Sequence, residues 1–144
     1  KSNFPEGVIA TDIIVGYPTE SEEDHKANLA FIEKFKPDVL NISKFSSHKQ
    51  TEAGKLKVLS NEIINRRTSE LMTLHRITTQ ANKQKHLNQT IKVLINKKIS
   101  ENLYESRDEN YNIVLLKCGK EMLGKEAEAK ILEVGVHHMS GELT

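Results

Sequence analysis

Tryptophan is absent from these 144 residues, cysteine occurs once and proline three times, and aromatic residues make up only 5%. A lone thiol, Cys118, cannot close an internal disulfide, which excludes a disulfide-stapled scaffold. Apolar runs stop after a few residues, far short of the ~20 that a membrane-spanning helix needs. No basic n-region followed by an apolar stretch opens the chain, so a secretory leader is not expected either. These absences point to a soluble, cytoplasmic protein with no membrane partner. The first residue is Lys1 and not Met, which leads us to expect a piece of a longer polypeptide. The length allows one modest domain or two small ones.

What is present is unevenly distributed. Pro5, Pro18 and Pro37 all fall in the first 37 residues, and neither Gly nor Pro occurs between Gly54 and Gly119. The near-neutral total of +1 hides a similar asymmetry. Residues 1–60 carry 8 basic and 9 acidic groups, residues 61–100 carry 8 and 2, and residues 101–144 carry 5 and 9. A basic middle segment between neutral and acidic ones suits an anionic partner at one face, although a solvated helix rich in Lys and Arg would produce the same count.

In the first part, Gly7–Ala10 and Asp12–Val15 form apolar, partly β-branched runs that stop at the turn signal Gly16-Tyr17-Pro18. The pattern predicts a strand buried on both faces of a parallel sheet. Thr19 to Asp24 then supply hydroxyls and carboxylates suited to a helix start. Ala27, Ala30, Phe31 and Phe35 recur at helical spacing until Pro37. A second strand, Val39 to Ser43, completes a β-loop-α-β unit whose crossover should be right-handed. Two strands cannot close a sheet, so this unit needs neighbours beyond this sequence.

From Ser60 to about His86 the spacing predicts one long helix acting as a spacer, with Ile64, Leu71, Leu74 and Ala81 on one stripe. After Asn88 the period changes to two, with Ile91, Val93 and Ile95 alternating with Thr90, Lys92 and Leu94. Tyr111–Lys117, Ala127–Val134 and Val136–Leu143 offer further short strands punctuated by glycines. Four or five strands in under 60 residues predict a small antiparallel β-barrel, whose closure would remove exposed edges. The fold class is therefore α/β followed by β, divided at residues 1–59, 60–86 and 87–144.

The stretch from Ala10 to Asp24, Ala-Thr-Asp-Ile-Ile-Val-Gly-Tyr-Pro-Thr-Glu-Ser-Glu-Glu-Asp, resembles the late-strand motif of radical S-adenosylmethionine methylthiotransferases. Phe45-Ser46 and Thr51-Glu52-Ala53 resemble that family's segment after the next strand, and residues 88–144 are similar to its C-terminal TRAM domain. Asp38 to Phe45 looks most like the archaeal and eukaryotic branch, which methylthiolates N6-threonylcarbamoyladenosine at position 37 of tRNA. The resemblance implies the last βαβ unit of a radical, TIM-like barrel, a linking helix and an RNA-docking β-barrel. It also implies S-adenosylmethionine and 4Fe-4S clusters in the full-length enzyme, with tRNA and the N-terminal part of the same polypeptide as partners. By that likeness Asp12, Ile14 and Gly16 line the cofactor, Ile14 through backbone and apolar surface and Gly16 through close approach. The plainer account is that Gly16 and Pro18 only make a tight turn.

The sequence departs from the family pattern at Thr19, at His48-Lys49-Gln50 and at Gln89, where glycine or an Arg-Pro-Gly-like segment is usual. The three-cysteine motif that binds the radical-generating cluster is also missing, and one thiol cannot hold a cluster that needs three or four. We therefore expect this stretch alone to hold no cofactor and to be inactive. Cys118 is expected as a buried or half-buried strand residue.

Among other constellations, His75 and His86 lie roughly 16 Å apart at helical rise, too far to share zinc. His137 and His138 would point to opposite sides of a strand, and His25 and His48 have no visible partner. Helix capping accounts for Glu20, Glu22, Glu23 and Asp24. Arg66, Arg67, Arg76, Lys83, Lys85, Lys92, Lys97 and Lys98 could neutralise phosphates, with Arg76, Lys83, Lys85, Lys92, Arg107 and Tyr111 as the RNA-contact candidates. Tyr111 could equally plug the barrel. The alternatives to an enzyme fragment are a free-standing RNA-binding module without catalysis and an α/β domain whose helix docks a protein partner.

Overall fold

A computed structural model describes residues 7–48 and 50–144. It divides into two compact units, Val8–Thr79 and Gln80–Thr144. The first holds β1 (Ala10–Val15), α1 (Glu22–Phe35), β2 (Val39–Lys44), a 3-10 turn at Ala53–Lys55, and most of α2 (Asn61–Gln84). The β-branched runs form β1 and β2, which pair in parallel from Ala10↔Val39 to Val15↔Lys44. A capping box starts α1: Asp24 N donates to Ser21 Oγ at 3.1 Å, and Ser21 N donates to Asp24 Oδ2 at 2.9 Å. The helix ends on Lys36 in the left-handed region, with buried Pro37 after it.

Ile13 and Val15 point to the helical side and pack with Ile32, Ile64 and Leu71. The opposite face of β1 is open, with Ile14 60% exposed, and Val39 of β2 is exposed as well. The expectation of a strand buried on both faces is thus corrected: among the described residues no element covers this second face. The apolar positions read from α1 are also corrected. Phe31 and Phe35 lie outward and stack on each other at 4.9 Å, whereas His25, Leu29 and Ile32 turn inward. Two stripes coexist on α1, and tertiary packing selected the one with the β-branched residue. The long helix is more than a spacer, because Ile64, Arg67 and Leu71 are buried within the first unit.

In the second unit β3 (Thr90–Ser100), β4 (Leu103–Arg107), β5 (Ile113–Lys117), β6 (Glu126–Val134) and β7 (His138–Leu143) close a barrel in the order β3-β4-β5-β7-β6. Val93, Ile95, Tyr104, Val114, Leu116, Ala129, Ile131 and Met139 fill it. The expected all-antiparallel arrangement is corrected at one seam, where β5 and β7 run parallel from Ile113↔His138 to Lys117↔Glu142. The count explains the seam: alternating directions cannot close around a ring of five strands, so one adjacent pair must be parallel. β4, which the alternation did not reveal, carries the buried Tyr104 and Ser106, and Ser106 Oγ donates to Val114 O at 2.8 Å. At Gly141 a Cβ would collide with the carbonyl oxygen of Lys130, so close pairing of β6 and β7 requires glycine.

Candidate cofactor-facing strand and nucleic-acid interface

The end of β1 is built by short-range geometry and closed by long-range charge. Gly16 sits at φ +87°, and a Cβ there would lie 2.7 Å from Ile64 Cγ1. Its N–H donates to Glu20 Oε2 at 2.6 Å, and Glu20 N donates to Tyr17 O at 2.8 Å. Tyr17 meets Phe45, in the loop after β2, edge-on at 5.4 Å. Within β1, Ile9 O and Val15 O accept from the β2 side, so odd-numbered residues turn their peptide groups toward β2. By the two-residue period, Asp12 and Ile14 turn theirs to the edge that β2 leaves free. Both side chains also lie on the open face, where Asp12 Oδ1 accepts from Asn41 Nδ2 at 2.8 Å. Asp12, Ile14 and Gly16 are therefore brought together along one open strand end.

Behind that strand runs a charge network that the sequence did not disclose. Arg67, 5% exposed, lies with Nη1 3.1 Å from Glu20 Oε2, itself in a side chain 7% exposed, and with Nη2 3.1 Å from Glu22 Oε2. Arg66 bridges Glu22 at 2.9 Å and Glu70 at 3.2 Å. Buried His25 places Nε2 2.6 Å from Glu70 Oε2, so the ring N–H donates a hydrogen bond to the carboxylate. Hydrogen bonds from Arg66 and then Arg67 hold the Glu22 carboxyl down to about 2. His25, then Arg66, lowers Glu70 in the same sense. Glu20 Oε1 and Arg67 Nε are buried without a partner among the described residues. Capping therefore explains Asp24, while Glu20 and Glu22 serve the arginines. Arg67 is buried away from any phosphate, and Arg66 already has two carboxylate partners. His25, read from sequence as unpartnered, is a member of this network.

The RNA-contact candidates separate on inspection. Arg76 is exposed on α2 in the first unit. Lys83, Lys85, Lys92, Arg107 and Tyr111 belong to the second. Lys83 donates to Val136 O at 2.9 Å, and burial pushes its ammonium pKa down. Its charge is thereby tied to the barrel. Lys85 is exposed just beyond α2. Lys98 pairs with Glu121 at 2.8 Å.

Lys92 and Arg107 share a hollow of about 360 Å³ with Asp108, Glu109, Glu126 and Glu128. Its acceptors outnumber its cations, which suits the N–H edge of a nucleobase better than a phosphate. Tyr111 is 80% exposed at φ +62°, so it is no barrel plug; Tyr104 fills that role. Asp108 fixes the turn by accepting from Asn110 N at 2.9 Å and Asn112 N at 2.8 Å. Arg107 Nη1 donates to Tyr111 O at 2.9 Å. A rare backbone conformation, braced from both sides, presents an aromatic ring to solvent.

No family model matches the chain. Curated proteins do. The Xenopus laevis threonylcarbamoyladenosine tRNA methylthiotransferase is 33% identical over 144 residues, covering 99% of this chain and 25% of its own length. The chain belongs to the tRNA methylthiotransferase family. The Pyrococcus horikoshii probable threonylcarbamoyladenosine tRNA methylthiotransferase is 31% identical over 99% of the chain and 33% of its own length. The Caldicellulosiruptor saccharolyticus tRNA-2-methylthio-N(6)-dimethylallyladenosine synthase is 32% identical over 99% and 31%. The chain thus spans about a third or less of these curated methylthiotransferases. Among solved structures, the apo form of Mycoplasma genitalium RNase R aligns over 58% of the chain and 17% of its own at TM-score 0.38 and 14% identity, a level from which no common fold follows.

The donors here do not fit an iron–sulfur cluster. Cys118, the one thiol, lies half-buried just after β5, and its Sγ accepts from Lys120 N at 3.4 Å. Among the described residues no three metal-ligating side chains converge, and no helix is long and apolar enough to cross a membrane.

Proposed function

We propose that this chain supplies two parts of a tRNA methylthiotransferase acting on N6-threonylcarbamoyladenosine at position 37: a strand end that borders S-adenosylmethionine and a TRAM-like barrel that holds tRNA. In this reading the first unit is the last βαβ segment of a radical, TIM-like barrel, whose reactive face lies at the C-terminal strand ends. The observation that carries it is the strand end at Gly16, where the free peptide edge, the exposed Ile14 and the left-handed turn lie together. Those features fit an adenine moiety, which takes backbone hydrogen bonds along its edge and apolar contact on its face. When bound, S-adenosylmethionine supplies the methyl group and the radical chemistry of the family. This chain's residues orient it: Ile14 through its backbone and apolar surface, Asp12 as an acceptor, Gly16 through the turn. With Cys118 as its one thiol, this chain does not supply the ligand set of a cluster.

On the second unit, Tyr111 stacks on an unpaired base, Arg107, Lys92 and the neighbouring carboxylates meet its edge, and Lys85 meets a phosphate. Arg76, exposed on the first unit, is a separate phosphate contact. A free-standing RNA module is the weaker reading, since the likeness to methylthiotransferases covers the first unit as well as the barrel. The test is expression of the full-length protein in a host lacking the modification, followed by mass spectrometry of tRNA nucleosides. A 2-methylthio derivative of threonylcarbamoyladenosine is expected. No new methylthio nucleoside would overturn the reading, and one on dimethylallyladenosine would overturn its substrate.

A further inference from the structure

Arg67 calls for explanation beyond stability. Burying a guanidinium with two carboxylates is a poor way to stabilise a fold, because desolvation offsets much of the attraction. Its contacts converge on one place: Nη1 donates to Glu20 O at 3.1 Å and lies 3.1 Å from Glu20 Oε2, the same oxygen that accepts the Gly16 N–H. One turn earlier on the same face of α2, Ile64 occupies the space that any Cβ at Gly16 would need. The turn ending β1 is thus held by α2 at two points, through an ion pair and through van der Waals contact.

We propose that Arg67 is a positioning residue for S-adenosylmethionine. Through Glu20 it fixes the direction of the Gly16 peptide, and with it the free edge and exposed face of β1 at Ile14. The inference rests on the reading that the cofactor borders β1. Arg67 itself touches neither cofactor nor substrate. It orients Glu20, and Glu20 orients the peptide. Displacement of a binding element by about 1 Å can cost two orders of magnitude in function, so modest slackening of this clamp should be measurable.

The test uses the full-length, cluster-loaded protein and equilibrium binding of S-adenosylmethionine, with amide hydrogen exchange at Gly16 and tRNA affinity read in parallel. Arg67→Gln is expected to weaken cofactor binding roughly tenfold or more, to speed exchange at Gly16 and to leave tRNA affinity unchanged. Arg67→Lys keeps one donor for Glu20 and should recover part of the loss. Should Arg67→Gln fail to fold, Glu20→Gln, which retains an acceptor for Gly16 but loses the ion pair, is expected to show the same weakening in smaller measure.

A fall in melting temperature with unchanged cofactor affinity would overturn the inference. Ile14→Glu, on the open face and away from the clamp, separates it from its premise. If Ile14→Glu leaves cofactor affinity intact, the placement of the cofactor at β1 fails. If Ile14→Glu abolishes binding while the Arg67 and Glu20 variants bind normally, only the role of Arg67 fails.

Discussion

The two units bury their strands by opposite means. The barrel pairs every strand on both sides and fills its interior with apolar side chains, Tyr104 the largest among them. Among the described residues the βαβ unit pairs each strand once, leaves one sheet face bare, and buries Arg67 and His25 as well as Ile13 and Val15. A closed ring satisfies its own backbone, so its sequence can be spent on packing. An open unit presents peptide groups and a face to something else, and here it fixes their direction with a charge network.

The sharpest challenge to this contrast lies in the barrel core. Tyr104→Ala should cost about 3–5 kcal/mol, because a large buried ring leaves a cavity that a closed ring cannot collapse. Chemical denaturation would measure it, and amide exchange should rise across all five barrel strands. A local effect confined to β4 would mean that the barrel does not behave as one core.

Next is Gly16→Ala, which combines left-handed strain with overpacking against Ile64 for about 2–4 kcal/mol. Exchange should rise in β1 and α2 and stay unchanged in the barrel strands.

Tyr111 tests function against stability. Tyr111→Gly should stabilise the fold by up to about 1 kcal/mol by relieving the positive φ, yet weaken tRNA binding by about 1–3 kcal/mol if the ring stacks on a base. Thermal melts and a binding titration at fixed salt would show opposite signs, and equal tRNA affinity would remove Tyr111 from the interface.

The smallest effect is in acid. Glu22 titrates near 2 in the folded chain against an ordinary 4.5. Its contribution is therefore fully present above about 4.5 and is lost as the pH falls toward 2. Melting curves of Glu22→Gln should converge on the parent over that window. Added salt should narrow the gap because the pair is partly exposed.

How much of this was legible depended on distance along the chain. β1, β2 and α2 announced themselves through β-branched runs and helical spacing, which are local properties. The barrel's existence followed from alternation after Asn88. Its parallel seam did not, because strand order is a global constraint that no window of sequence carries.

Arg66 and Arg67 looked like phosphate ligands because their charge is visible and their partners Glu22 and Glu20 are more than forty residues away. Asp12, Ile14 and Gly16 stand out through a motif, and the structure shows only that they lie along one edge of β1. Tyr111 was visible as an aromatic, but not as one held at positive φ by Asp108 and Arg107.

The seam between β5 and β7 bears on how this molecule comes off the ribosome. β7 inserts between β5 and β6, so the ring stays gapped until residues 138–143 have emerged. Until then β5 and β6 each present an unpaired edge to their surroundings, the kind of exposure that invites misassembly. The hairpin of β3 and β4 and the pairing of β3 with β6 can form earlier. Closure waits for β7, the last of the five barrel strands to be made, and so follows every other pairing in the ring.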